Sequence, residues 1–282
     1  MVALPVWVTL LALATGMLIG GMLGKWAFHR QPDLTIDNAL KRMPLPFALA
    51  AMPAALFLAL YLQNDVLLAT LFRLPVTLGY WAIGLAWDYF AAVTAFLGAF
   101  VVMLAHRTQH VQRNQVVLAC SLLLVAVLVP QWTFTRPVAD KLTHDVDRDG
   151  AVYQTSGVSC AAASGANIAR TLGLNDVTEA ATARAMGTTQ LGTTMPQTVV
   201  GMKALGISCT PLPAPADPSR IETPAFLFID HPSVGRNGHA IALLRRSGDN
   251  RYVVVDPLSG RQSWTREQLD KVWHGFAVSC RK

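Results

Sequence analysis

The chain has 282 residues and a formal net charge of +6, with 52% hydrophobic but only 14% charged residues. Charge is divided unevenly: residues 1–133 hold seven Lys/Arg and four Asp/Glu, and residues 134–282 hold sixteen and thirteen, so ordinary solubility fits only the second part. Neither part reads as a nucleic-acid binder, since the second part is only +3 (sixteen minus thirteen) and the basic residues of the first sit in loops between apolar runs.

In chain order, the first apolar run covers 3–27, enough for the roughly twenty residues that a bilayer crossing needs. It has no basic leading segment and no small-residue cleavage site, so it reads as an anchor, not a removed signal. Gly16, Gly20 and Gly24 form a stripe that permits close helix packing, within the chain or through self-association of two copies. Further spans are expected at 44–62, 81–105 and 116–132, giving an all-α transmembrane bundle of about four helices in a domain 1–133. Val66 to Tyr80 is interrupted by Arg73 and Pro75; it fits an extension of the third span, an interfacial segment or a fifth crossing.

Loop charge arbitrates. The end of the first span and the loop after it carry Lys25, Arg30, Lys41 and Arg42, and the loop after the third carries Arg107 and Arg113. Four spans put both groups on one side, which the positive-inside rule makes cytoplasmic, with both termini outside. Asp88 and Arg73 are ionisable residues near membrane depth, close enough to span ends to snorkel. A linker follows at 134–148. Asp145, Asp147, Asp149 and Gly150 imitate the start of a calcium loop, but Ser156 stands where the bidentate glutamate belongs, so a solvated turn is expected and no metal. Zinc-type Cys/His spacing and a phosphate-binding G-x-x-x-x-G-K-[ST] loop are both missing from the sequence, so no cofactor is expected.

The segment 149–282 carries the chemistry. Cys160 opens a small-residue helix, where the positive end of the helix macrodipole favours an anionic sulfur. Gln154, six residues upstream, offers a side-chain amide that can meet an oxyanion. His239 begins the alternating run HAIALLRR, and Asp256 follows the β-branched Val253–Val255 and precedes Pro257. A thiol, then a histidine, then an acid in this order is the arrangement of papain-like catalysis, with partners that meet in space. His231 is a rival base but reads as a turn residue, and His274 as a half-exposed position before the last strand. Helices are expected over Cys160–Leu172, Val177–Met186, Pro196–Leu205 and Thr265–Val272, and antiparallel strands near Ile207, Phe226, Ala240, Val253 and Phe276. Cys209 and Cys280 both lie in strand-like stretches, so a disulfide and two separate buried thiols are both open.

These residues together resemble the family-39 cysteine peptidases, the bacteriocin-processing domains that act on double-glycine leaders. The carrying elements are Gln154 and Cys160, Gly192–Thr193, Leu205–Ile207, NGHAIAL around His239 and VVVDPLSG around Asp256. One departure is Ala161, where that family commonly has glycine. The resemblance implies a papain-like α+β domain in a bacterial protein, placed here in the cytoplasmic (inner) membrane. It also implies a Cys160–His239–Asp256 triad with Gln154 as oxyanion donor, acting on a peptide or protein substrate. The membrane domain would contact lipid and could tether the enzyme or recruit a transporter. Two other readings keep the fold: a non-catalytic peptide-binding domain, and a thioester-forming acyl transferase.

Overall fold

The structure, a computed structural model, describes all residues except 1–5, 32–33, 35, 45–47, 49–51, 53–54, 56–63, 106–109, 144 and 248–250. Two compact units result: Ala3–Leu62 with Ala82–Phe134, and Gln63–Trp81 with Thr135–Lys282.

The first unit is built on helices α1 (Val6–Arg30), α2 (Ile36–Arg42), most of α4 (Val76–Ala105) and α5 (His110–Phe134). Among the described residues two helical stretches are long and apolar enough to cross a membrane, Val8–Ala27 and Val76–Leu104. Of the expected bundle of about four, two helices therefore have the length and apolarity that a crossing needs. The span expected at 44–62 lies largely outside the described residues, and the one at 116–132 falls within α5, whose first turns carry Gln112, Arg113, Asn114 and Gln115.

The glycine stripe of α1 is filled from within the chain. A Cβ at Gly16 or Gly20 would overlap the carbonyl of Ala92 or Phe96, and one at Gly24 would meet the Met103 side chain. Backbone-to-backbone approach of this kind needs residues without side chains. Self-association through this stripe is thus corrected: α4 already occupies it. Thr9 also donates to Asp88 at 2.6 Å, which accounts for the buried carboxylate by helix pairing. Ala27, Leu34, Ala39, Met43, Phe100 and Leu104 form the unit's buried cluster. Gly20→Val should lower the melting temperature of the detergent-purified chain by about 2–8 °C through overpacking. Gly21→Val, whose Cβ would meet nothing within 4 Å, should leave it within about 1 °C by the same reasoning.

The second unit centres on a six-stranded antiparallel sheet in the order β1-β6-β2-β3-β4-β5. Its strands are β1 (Ser208–Pro211), β2 (Ala225–His231), β3 (Gly235–Ser247), β4 (Arg251–Asp256), β5 (Gly260–Thr265) and β6 (Trp273–Arg281). Alternate residues Ala225, Leu227 and Ile229 of β2 join Ile241, Leu243, Tyr252, Val254 and Ala277 in the main buried cluster, as period-two patterning dictates. Helices α6 (Cys160–Thr171), α7 (Glu179–Met186) and α8 (Met195–Ala204) pack together, and α6 lies against β3. Short α9 (Arg266–Asp270) precedes β6 and starts at a Thr265–Gln268 capping box. Cys209 and Cys280 face each other across β1 and β6 with their sulfurs bonded, which ties an edge strand to the sheet.

Residues 64–81 join this unit through α3 (Asn64–Arg73). Phe72 places its ring 5.9 Å from Phe228 and 5.2 Å from Phe276, both on the sheet. A ten-residue helix does not persist alone in water, so these aromatic contacts, each worth about 0.5–1.5 kcal/mol beyond area burial, help hold it in place. Pro75 lacks the N–H that would continue α3, and α4 starts at Val76.

Candidate active site

Cys160 is the first residue of α6, where helix geometry leaves the N–H groups of Cys160, Ala161 and Ala162 without intrahelical acceptors. Ser159 precedes it, fully buried, and closes the entering turn. Its hydroxyl donates to the Ser156 carbonyl at 2.9 Å and accepts the Ser156 N–H at 3.2 Å. Ala161 is 2% exposed, so the residue that departs from the family's glycine fits inside the packed helix start.

Two buried polar side chains aim this helix. Ser164 donates to the Ala240 carbonyl at 2.9 Å, bonding α6 to the residue after His239. Asn167 accepts the Val152 N–H and donates to the Val152 carbonyl, both at 2.9 Å, which fixes α6 against the segment leading to Gln154. The large majority of buried polar groups in folded proteins are bonded in this way. Ser164 and Asn167 were not singled out from sequence; the available signal was two polar residues interrupting an alanine-rich apolar face.

His239 lies on β3 and is 1% exposed. Asn237, in the left-handed region at φ 49°, shapes the strand just before it, and a Cβ at Gly238 would overlap the Val234 carbonyl. Asparagine and glycine are the residues that tolerate such positions. His239 Nε2 lies 2.8 Å from Asp256 Oδ1, and the Cys160 thiol hydrogen-bonds the same imidazole. Nδ1 is the ring nitrogen left for the sulfur.

Burial pulls the His239 pKa down, but the hydrogen bonds to Asp256 and Cys160, reinforced by their charges, reverse this and raise it to about 9. Burial likewise pushes the Asp256 carboxyl up, while the His239 imidazole, the Leu258 N–H and the Ser259 hydroxyl outweigh it and hold it below its ordinary value. Asp256 Oδ1 accepts from Leu258 at 2.9 Å and Oδ2 accepts from Ser259 at 2.8 Å, so one residue both closes the β4–β5 turn and orients the histidine.

Gln154 is bonded to the turn that follows Asp256. Its N–H donates to the Pro257 carbonyl at 3.0 Å, beside Asp256. Its Nε2 donates to the Ser156 carbonyl at 2.9 Å, and its Oε1 is buried without a hydrogen-bond partner. One amide proton is thereby engaged and the second is available.

His231 and His274, on neighbouring strands of the sheet, have bonds of their own. His231 ends β2, accepts the Ser233 N–H at Nδ1 (3.2 Å), and sets its ring 5.0 Å from that of His239. His274 Nε2 lies 2.9 Å from Asp230 Oδ2, and Asp230 Oδ1 accepts the Asn237 N–H, so this second pair braces the approach to His239. Asp147 accepts the Ala151 N–H at 2.8 Å, a turn bond inside the calcium-like stretch, and among the described residues no group of three or more His, Cys, Asp or Glu is placed to hold a metal.

Residues 148–282 match the Peptidase C39 family. Several solved structures are similar. One is a double glycine motif protease from an AMS/PCAT transporter in complex with its leader peptide, 16% identical, covering 49% of this chain and 91% of that one, with a TM-score of 0.38. Another is the peptidase domain of Streptococcus ComA, a bifunctional ABC transporter involved in quorum sensing, 20% identical over 46% of this chain and 95% of that one, with a TM-score of 0.40. The peptidase domain of Streptococcus mutans ComA is 18% identical over 46% and 97%, with a TM-score of 0.36. No curated protein matches the chain.

Proposed function

We propose that the Peptidase C39 domain at residues 148–282 makes this chain a membrane-anchored cysteine peptidase, cleaving a peptide or protein outside the cytoplasm. The observation that carries the reading is the chain of interactions from the thiol of Cys160, at the start of α6, through buried His239 to Asp256. Thiolate and imidazolium form when the Cys160 proton passes to His239, and Asp256 holds the imidazole in the productive tautomer. The sulfur adds to the scissile carbonyl. The oxyanion is met by the Cys160 N–H and the second amide proton of Gln154. His239 protonates the departing amine, leaving an acyl thioester. Water, deprotonated by His239, then attacks the thioester, releasing the acid and restoring the thiol.

Gln154→Ala removes one oxyanion donor, so kcat should fall about 10²-fold with KM little changed, measured on a peptide cleaved by the purified chain. The outward placement is supported by the loop charges, which leave the segment between the second and third expected spans on the same side as the C-terminus. It is also supported by α3, which comes from that segment and packs on the sheet through Phe72. Two measurements test the reading as a whole. Cells carrying the intact chain should yield extracytoplasmic cleavage products that vanish with Cys160→Ala, and a reporter fused after Lys282 should be active outside. Identical peptide profiles from both cell types, or a reporter active only in the cytoplasm, would contradict it.

A further inference from the structure

Glu179 is a carboxylate with 0% exposure at the first position of α7, and no step above uses it. Its two oxygens accept the Thr155 N–H at 3.0 and 3.2 Å, and Oε2 also accepts the Thr155 hydroxyl at 2.7 Å. Burying a carboxylate is unfavourable unless donors satisfy it; here the Thr155 bonds do so, and the positive end of α7 adds to them. Thr155 is the residue between Gln154 and Ser156, and the Ser156 carbonyl is the acceptor that orients the Gln154 amide. On the far side of this three-residue segment, the Gln154 N–H is held by Pro257. The segment is therefore clamped at one end to the turn bearing Asp256 and at its middle to Glu179.

We propose that Glu179 is a positioning residue for the oxyanion donor: by gripping Thr155 it holds the Gln154 amide in line with the carbonyl that Cys160 attacks. The inference rests on the peptidase reading above, and adds to it a residue that touches neither substrate nor nucleophile. A purely structural alternative is that Glu179 only fastens the incoming chain, because the Thr155 hydroxyl also accepts the Thr143 N–H at 3.1 Å. The two roles differ in what they do to chemistry at sites that have folded.

The test uses the full chain in detergent, a peptide it cleaves, and iodoacetamide to count and time the reaction of Cys160. Alkylation displaces iodide without forming an oxyanion, so it reports the thiol and His239 but not Gln154. In Glu179→Gln, kcat per alkylatable Cys160 should fall about tenfold with KM within about twofold, a fraction of the loss from deleting the donor itself. The alkylation rate should be unchanged. In a Gln154→Ala background the same substitution should have no further effect on kcat, since the group it positions is gone. Thr155→Val, which keeps the N–H bond and loses the hydroxyl bond, should give the same pattern at about threefold, and carries the test if Glu179→Gln does not fold. Unchanged kcat per thiol, an equal fall in alkylation rate, or full additivity with Gln154→Ala would each overturn the proposal. If Cys160→Ala cleaves as well as the intact chain, the peptidase reading itself has failed, an outcome distinct from these.

Discussion

Cys160→Ala is expected to abolish cleavage, with kcat/KM falling about 10⁴-fold or more, because nucleophile, base and orienting acid act as one unit. The mutation should leave the fold intact. Cys160 sits at the start of α6, and the helix is held by Ser164 and Asn167, not by the thiol. Alanine is also the best helix former. Cys120, the other free cysteine, lies on α5 in the first unit, so Cys120→Ala should keep full activity. Assaying both variants on the same peptide separates loss of a thiol from loss of this thiol.

His239→Ala should cost about 10³–10⁴-fold in kcat/KM, since it removes the proton acceptor for the sulfur and the proton donor for the leaving amine. The pH profile gives an independent reading. Activity that needs the imidazolium should fall as pH rises through about 9, the value to which His239 is raised. Stability carries the same signature. A histidine with a raised folded pKa contributes stability that is fully present below its ordinary 6.5 and is lost as pH rises through about 9. Asp256, held low, contributes stability present above its ordinary 3.8 and lost as pH falls through its depressed value. Denaturant midpoints of the intact chain should therefore decline at both ends of that window. In His239→Ala the alkaline decline attributable to this pair should disappear.

The proposed catalytic residues could be picked out of the sequence because their types are restrictive. A cysteine opening an alanine-rich helix, a histidine opening an alternating strand and an aspartate ending a β-branched run leave few other arrangements. The structure brings Cys160, His239 and Asp256 together and bonds the Gln154 backbone to Pro257, next to Asp256. β5 was missed because its residues, Gly260 to Thr265, are mostly polar and it lies at the sheet edge, where hydrophobic alternation fades. Glu179 was missed for a different reason: an acid after threonine at a helix start reads as an ordinary exposed first-turn charge, and only the tertiary fold buries it. The segment from Val66 to Tyr80 resisted reading because its decisive residue is Phe72, whose partners Phe228 and Phe276 lie far along the chain. The glycine stripe was legible as a packing surface, but which helix fills it is set by the fold, in which α4 supplies the Ala92 and Phe96 carbonyls.

If Cys160 is the nucleophile of a peptide hydrolysis, cleavage depends on its free thiol. This dependence is tested most directly by treating the purified full chain with limiting iodoacetamide and following two quantities on each aliquot. These are the fraction of Cys160 carbamidomethylated, by peptide mass spectrometry, and the residual cleavage rate. The rate should fall in direct proportion to Cys160 modification and reach zero when that site is fully alkylated. Undiminished cleavage by a chain with Cys160 fully carbamidomethylated would contradict this dependence.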